Sequence, residues 1–253
     1  MGTKSKIQRG GDRPPVLQLI RRHCVPLHAI ATDKSSEGKL NITGGSALLL
    51  ETICGRFFVT ASHVWQELAK LTRDGSEYRI FSYDLSGPVL IHLPRLIDES
   101  EELDIAVFTV QGIADFNPTG KAFLQTANSP SAPAQSGEMI VGCGYPGAFR
   151  RYENGNWKLD ILGWAHRQCT VSESGRRLLL DGHSGKGKVE NFSKVERKEL
   201  PLPGISGAPL FALRDTLDWV GVVRSGCGIP PDVYSIQATP SSFVSPDGRI
   251  RQT

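Results

Sequence analysis

Apolar residues along this chain come in short bursts, many alternating with polar positions and broken by Gly, Pro, Asn, Asp or Ser. Bursts of that length between turn signals predict β-strands. The pattern places strands at 24–31, 45–51, 56–60, 78–82, 89–93 and 104–110 in the first half of the chain. In the second half it places them at 138–142, 159–164, 177–181, 208–213, 219–223 and 234–239. Only 62–71 has a helical period, with Val64, Leu68 and Leu71 spaced by four and three and Ser62 as a plausible N-cap. Strands that do not alternate with long helices exclude a parallel α/β sheet and predict an all-β sandwich or barrel. The stretch "QTANSPSAPAQSG" at 125–137 has the composition of a linker, so two β units are expected, at 23–124 and 138–245, with a tail from 246.

Composition changes this picture little. The 253 residues are 39% hydrophobic and 22% charged, and a formal charge of +3 does not by itself imply nucleic-acid or membrane binding. Residues 1–22 are the exception: Lys4, Lys6, Arg9, Arg13, Arg21 and Arg22 stand against Asp12 alone, which predicts a basic, flexible arm. Within the sequence there is no signal-peptide-like apolar stretch and no run approaching a membrane span. The five cysteines are Cys24, Cys54, Cys143, Cys169 and Cys227. Their odd number and wide scatter read as reduced thiols, and a cytoplasmic setting is expected. His23, Cys24 and His28 lie close together, but no second ligand pair accompanies them, so no metal site is implied.

Chemistry concentrates in three places. In "LPGISGAPLF", residues 202–211, Ser206 sits between Ile205 and Gly207 just ahead of an apolar run. A serine hydroxyl needs an adjacent base to act as a nucleophile. His63 in "RFFVTASHVW" follows the end of a strand by three residues, a setting that would hold an imidazole in one orientation. Asp104 in "EELDIAVFTV" opens an apolar strand and is the candidate carboxylate to orient that ring. Taken singly, each residue also reads as a cap or a turn; the order His, Asp, Ser is the discriminating feature. It excludes the α/β-hydrolase arrangement, because no histidine follows Ser206. The subtilisin order would need an aspartate ahead of His63 and a parallel sheet that the pattern lacks.

These segments resemble the trypsin-like, chymotrypsin-fold serine peptidases, including HtrA-like and other bacterial members. "VTASHV" is similar to that family's histidine motif, "LDIAV" to its aspartate strand, "PGISGAPLF" to its serine motif and "VGCGYPG" to the segment opening its second barrel. The resemblance implies two six-stranded antiparallel Greek-key β-barrels with the active site in the cleft between them, and neither metal nor cofactor. It implies a serine endopeptidase with catalytic His63, Asp104 and Ser206 and an oxyanion hole from the N–H groups of Gly204 and Ser206, acting on protein or peptide substrates. Its substrate pocket would involve Leu200, Arg224, Ser225, Gly226 and Asp232. Asp232, in "PPDVYSI", would offer a carboxylate to a substrate Lys or Arg; the alternative is a displaced loop with Asp232 in solvent.

The sequence departs from the family at two of these places. Ile205 replaces the aspartate that pairs with a freed N-terminus in trypsins, which argues against that activation and leaves a preformed site or another trigger, such as an activating partner. Arg224 stands where many relatives carry a small serine beside the triad carboxylate. A catalytically silent scaffold or a latent protease is therefore the alternative reading. "GHSGKGK", residues 182–188, fits a phosphate-loop spacing, but Val189 follows where Ser or Thr would bind magnesium, so a Gly/Lys loop is expected there.

Overall fold

The computed structural model describes residues 16–32, 40–73, 78–84, 87–111, 120–126, 133–147, 150–153, 156–159, 161–166, 169–183, 187–191, 204–229 and 233–252. Its first β unit contains β1 (Cys24–Thr32), β2 (Leu40–Thr52), β3 (Gly55–Thr60), β4 (Tyr78–Asp84), β5 (Gly87–Ser100), β6 (Ile105–Gln111) and β7 (Leu124–Gln125). Strands β1, β4, β5, β6, β3 and β2 pair antiparallel in that order, and β1 pairs again with β2, so the sheet closes on itself. The short β7 adds parallel to the outside of β2.

Three strands of this barrel are apolar on both faces because each face meets a different core. On β2, Ala47 and Leu49 point inward with Val25, Leu27, Phe58, Ala106 and Phe108. Leu48 and Leu50 point the other way, joining Phe57, Val59, Ile105 and Val107 in a cluster that also holds Val141, Phe211, Trp219 and Val222 from the second unit. Alternation at period two thus builds the barrel interior and the seam between the units from the same strands. The helix α1 (Val16–Ile20) contributes Ile20 to that seam, fully buried. Residues 16–22 are therefore not part of a flexible arm: the apolar face of VLQLI outweighs the basic composition around it. The expected tail also folds back, since Val244 bridges Ile250, whose side chain enters the seam.

The second unit consists of β8 (Ile140–Gly144), β9 (Arg150–Glu153), β10 (Asn156–Leu159), β11 (Leu162–His166), β12 (Thr170–Val171), β13 (Leu178–His183), β14 (Gly187–Asn191), β15 (Pro209–Leu213), β16 (Leu217–Ile229) and β17 (Val233–Pro240). Eight of them form one antiparallel sheet in the order β12, β13, β17, β16, β15, β8, β11, β14, while β9 and β10 pair as a separate hairpin. This agrees with the two-barrel, all-β architecture, the second sheet being broader than six strands. The phosphate-loop-like segment is largely strand: Gly182 and His183 end β13, and Gly187 and Lys188 open β14, which pairs with β11. No helix follows it to receive a phosphate, so that reading and the simple loop both give way. Of the expected linker, Gln125 belongs to β7 and Ala134 is buried in the second core. Among the described residues no helix is long and apolar enough to cross a membrane.

Candidate active site

His63 is the second residue of α2 (Ser62–Arg73), which starts one residue beyond the end of β3. The helix is anchored by Val64, Trp65 and Leu68, which pack into the interior of the first barrel. Ser62 is not the N-cap. It lies within the helix, is buried, and its hydroxyl donates to Glu99. The exposed N–H of His63 is instead satisfied by Asp104, whose Oδ1 accepts it at 3.0 Å from 41 residues away. A carboxylate there meets both the unpaired N–H groups and the positive end of the helix.

The same carboxylate holds the imidazole. His63 Nδ1 lies 3.0 Å from Oδ1 and 3.0 Å from Oδ2 of Asp104. Asp104 therefore fixes its partner at backbone and ring together. It does so from a left-handed backbone, φ 52°, a region that Asp tolerates better than most residues. The turn is braced on several sides: Asp104 N donates to Glu101 O at 3.1 Å, Leu103 N to Ser100 Oγ at 3.3 Å, and Thr239 Oγ1 on β17 to the Leu103 carbonyl.

The hydrogen bond to Asp104 raises the His63 pKa above its ordinary 6.5. Partial burial opposes this, the charges of Asp104 and Glu67 add to it, and Arg224 works against it. For Asp104 burial is the largest single influence and pushes the pKa up. The ring hydrogen bond, the backbone N–H and the charge of His63, with help from Arg224, together outweigh it and bring the net value below 3.8. His63 presents a half-exposed ring, 46% accessible, whereas Asp104 beneath it is 15% exposed. A base open to substrate above a sheltered carboxylate is an arrangement suited to proton transfer.

Ser206 belongs to a tight turn ahead of β15. Its carbonyl accepts the N–H of Ser46 on β2 at 2.7 Å, Gly207 N donates to Val223 O at 2.8 Å, and Ala208 N to Ile205 O at 2.9 Å. Glycine is required where turn and strand meet. Gly207 has φ +83°, and a Cβ on it would lie 1.9 Å from Ser46 O and 2.2 Å from Thr60 Oγ1. Across the contact, a Cβ on Gly45 would fall 2.5 Å from Ser206 O. Ile205 is fully buried in the core of the second sheet beside Ala208 and Leu210. Among the described residues, the N–H groups of Gly204 and Ser206 have no intramolecular acceptor, in contrast to those of Gly207 and Ala208.

The two halves meet through residues that the sequence did not single out. Ser46 donates its N–H to Ser206, accepts Thr60 Oγ1 on its carbonyl at 2.7 Å, and accepts Tyr145 N on its hydroxyl at 2.9 Å. Thr60 ends the strand that leads to His63. The pair Gly45 and Ser46 was the available sign, since a glycine inside a strand marks close backbone approach. The Ser206 hydroxyl donates to the Arg224 carbonyl at 3.1 Å, and the Arg224 guanidinium lies 3.9 Å from Asp104 Oδ2. Ser225 is exposed on β16 opposite Gln237, and Gly226 stands opposite Ile236. Leu200 and Asp232 lie outside the described residues.

A polar acid and imidazole pair from one β unit, beside a glycine-flanked serine from the other, defines the class of the serine hydrolases built on two β-barrels. The family model for Trypsin matches residues 34–242. The chain belongs to the trypsin family and is a trypsin-like serine protease. Among solved structures it is similar to a thermostable serine protease, AL20, from an extremophilic microorganism. The two share 17% identity with a TM-score of 0.45, over 87% of this chain and 91% of that one. A search of curated proteins gives no match.

Proposed function

We propose that this protease cleaves internal peptide bonds of protein substrates through His63, Asp104 and Ser206. Ser206 Oγ attacks the scissile carbonyl while His63 Nε2 takes its proton, and the proton passes on to the leaving amine. The resulting acyl-enzyme is hydrolysed when His63 activates a water. Asp104 keeps the Nδ1 proton on the ring and stabilises the imidazolium. The uncommitted N–H groups of Gly204 and Ser206 receive the oxyanion, each donor lowering the barrier by about 3–4 kcal/mol. What carries this reading is the double hold of Asp104 on His63, at the backbone N–H and at Nδ1.

The oxyanion loop is held by packing rather than by an ion pair. Ile205 is buried where a trypsin zymogen would later place a charge, so no inserted N-terminus is needed to shape the turn. A protease latent until substrate or a partner engages it is the second reading, favoured by one observation: the Ser206 hydroxyl rests on the Arg224 carbonyl. Preference for Lys or Arg ahead of the scissile bond is the specificity we assign to Asp232.

Cleavage of a proteome-derived peptide library tests this reading. New N-termini are expected with the wild-type chain and none with S206A. A library untouched by the wild type, with and without cell extract, would contradict it. Cleavage without a Lys or Arg preference would remove the role given to Asp232.

A further inference from the structure

Arg224 stands at an irregularity in the pairing of β16 with β17. Val223 faces Ala238 and Ser225 faces Gln237, so Arg224 has no residue opposite it in the ladder. An extra residue of this kind bends its strand and re-aims its side chain. Here it turns the guanidinium to Asp104, with Nε 3.9 Å from Oδ2, and the carbonyl to the Ser206 hydroxyl at 3.1 Å. Both partners are sheltered, with Arg224 19% and Asp104 15% exposed. A guanidinium keeps its charge at any pH the fold survives. Once His63 is protonated, Asp104 therefore serves two cations, an imidazolium and a guanidinium, from one carboxylate.

We propose that Arg224 is a positioning residue that sets the basicity of His63: it keeps Asp104 ionised and disfavours the imidazolium, extending the proton-accepting form of the ring to lower pH at the expense of base strength. This rests on reading His63 as the general base. The other charged groups facing the ring are Asp104, from the turn before β6, and Glu67, on its own helix, and both favour the imidazolium. Glu99 and Glu101 are tied to Gln66 Nε2 at 3.0 Å each, on the next turn of α2. Arg224 on β16 is the cation that opposes them. A purely structural arginine would support the turn without moving the proton equilibrium.

The test is the titration of the His63 ring by NMR, assigned by its loss in H63N, in the wild-type chain and in R224M, R224Q and R224K. Removing the charge raises the His63 pKa by about half a unit or more, as expected of a sheltered neighbouring charge, and R224K stays near wild type. The difference shrinks in 1 M salt. Fluorophosphonate labelling should follow: in R224M and R224Q the acid limb moves to higher pH by the same interval while the alkaline plateau rises about twofold. An unchanged or lowered His63 pKa in either folded, uncharged variant overturns the proposal, as does an R224K that behaves like R224M. The NMR readout needs only a folded chain, so a wild type that is never labelled counts against the protease reading, and the titration still decides the role of Arg224.

Discussion

The two halves of the site are held by different means. His63 and Asp104 come from the closed barrel and are fixed by polar side chains: a carboxylate caps a helix, grips a ring and is itself braced by Ser100 and Thr239. Ser206 comes from a turn fixed by backbone contact and burial, with its carbonyl on Ser46, glycines where a Cβ would collide and Ile205 sunk in the core. The difference follows from what each half supplies. A proton relay needs oriented charges, whereas a nucleophile and its oxyanion donors need an oriented backbone. Damage to the first half should therefore act on rate and pH dependence, and damage to the second on whether the site exists.

The severest break in that comparison is G207A. Its Cβ would overlap Ser46 O and Thr60 Oγ1 from a left-handed backbone, and such strain costs on the order of 4 kcal/mol or more. Thermal melts should show a large drop in Tm, or no fold, with labelling lost. Next comes D104N, which keeps the shape but presents the wrong partner to Nδ1. Labelling and cleavage rates should fall by about 10⁴-fold while Tm changes by only a few degrees. A D104N chain that keeps its rate would mean that Asp104 is only a helix cap.

I205A sharpens the comparison from the other side. Removing a buried side chain from the second core should cost about 2–5 kcal/mol, read by denaturant unfolding. Rate should fall as the oxyanion loop loosens, with the acid limb of the pH profile unmoved. A shifted limb would show that the two halves are not separable in this way.

The smallest effect expected is that of pH on the wild type. Because the folded pKa of His63 is raised above 6.5, labelling should rise through a midpoint above that value as the ring becomes neutral. Stability runs the opposite way. The contribution of the raised His63 is fully present below 6.5 and is lost as pH climbs through the folded pKa. That of Asp104, whose pKa is depressed, is present above 3.8 and is lost as pH falls through its folded value. A labelling midpoint below 6.5 would contradict the hold of Asp104 on the ring.

Much of this was legible in the sequence, because period-two apolar runs and glycine-rich turns are local signals. The twelve strands read from it all have counterparts, and the order of His63, Asp104 and Ser206 led to the family. The misses were contacts between distant residues. Ser62 looked like a cap, but Asp104 reaches across 41 residues to do that work while Ser62 turns to Glu99. Val16–Ile20 looked like part of a basic arm because composition was averaged over residues whose apolar face docks in the seam. The bulge at Arg224 leaves no mark in the pattern, since an added residue shows only against its partner strand. The HtrA-like subtype is distinguished by neither the family match nor the structural likeness.

The most direct measurement is to react the wild-type chain with a fluorophosphonate and map the adduct by mass spectrometry, beside S206A and H63A. We expect a single stoichiometric modification on Ser206, absent from S206A and slowed by several orders of magnitude in H63A. A wild type left unmodified across the whole pH range, or an adduct that persists unchanged when the imidazole is removed, would contradict a serine activated by His63.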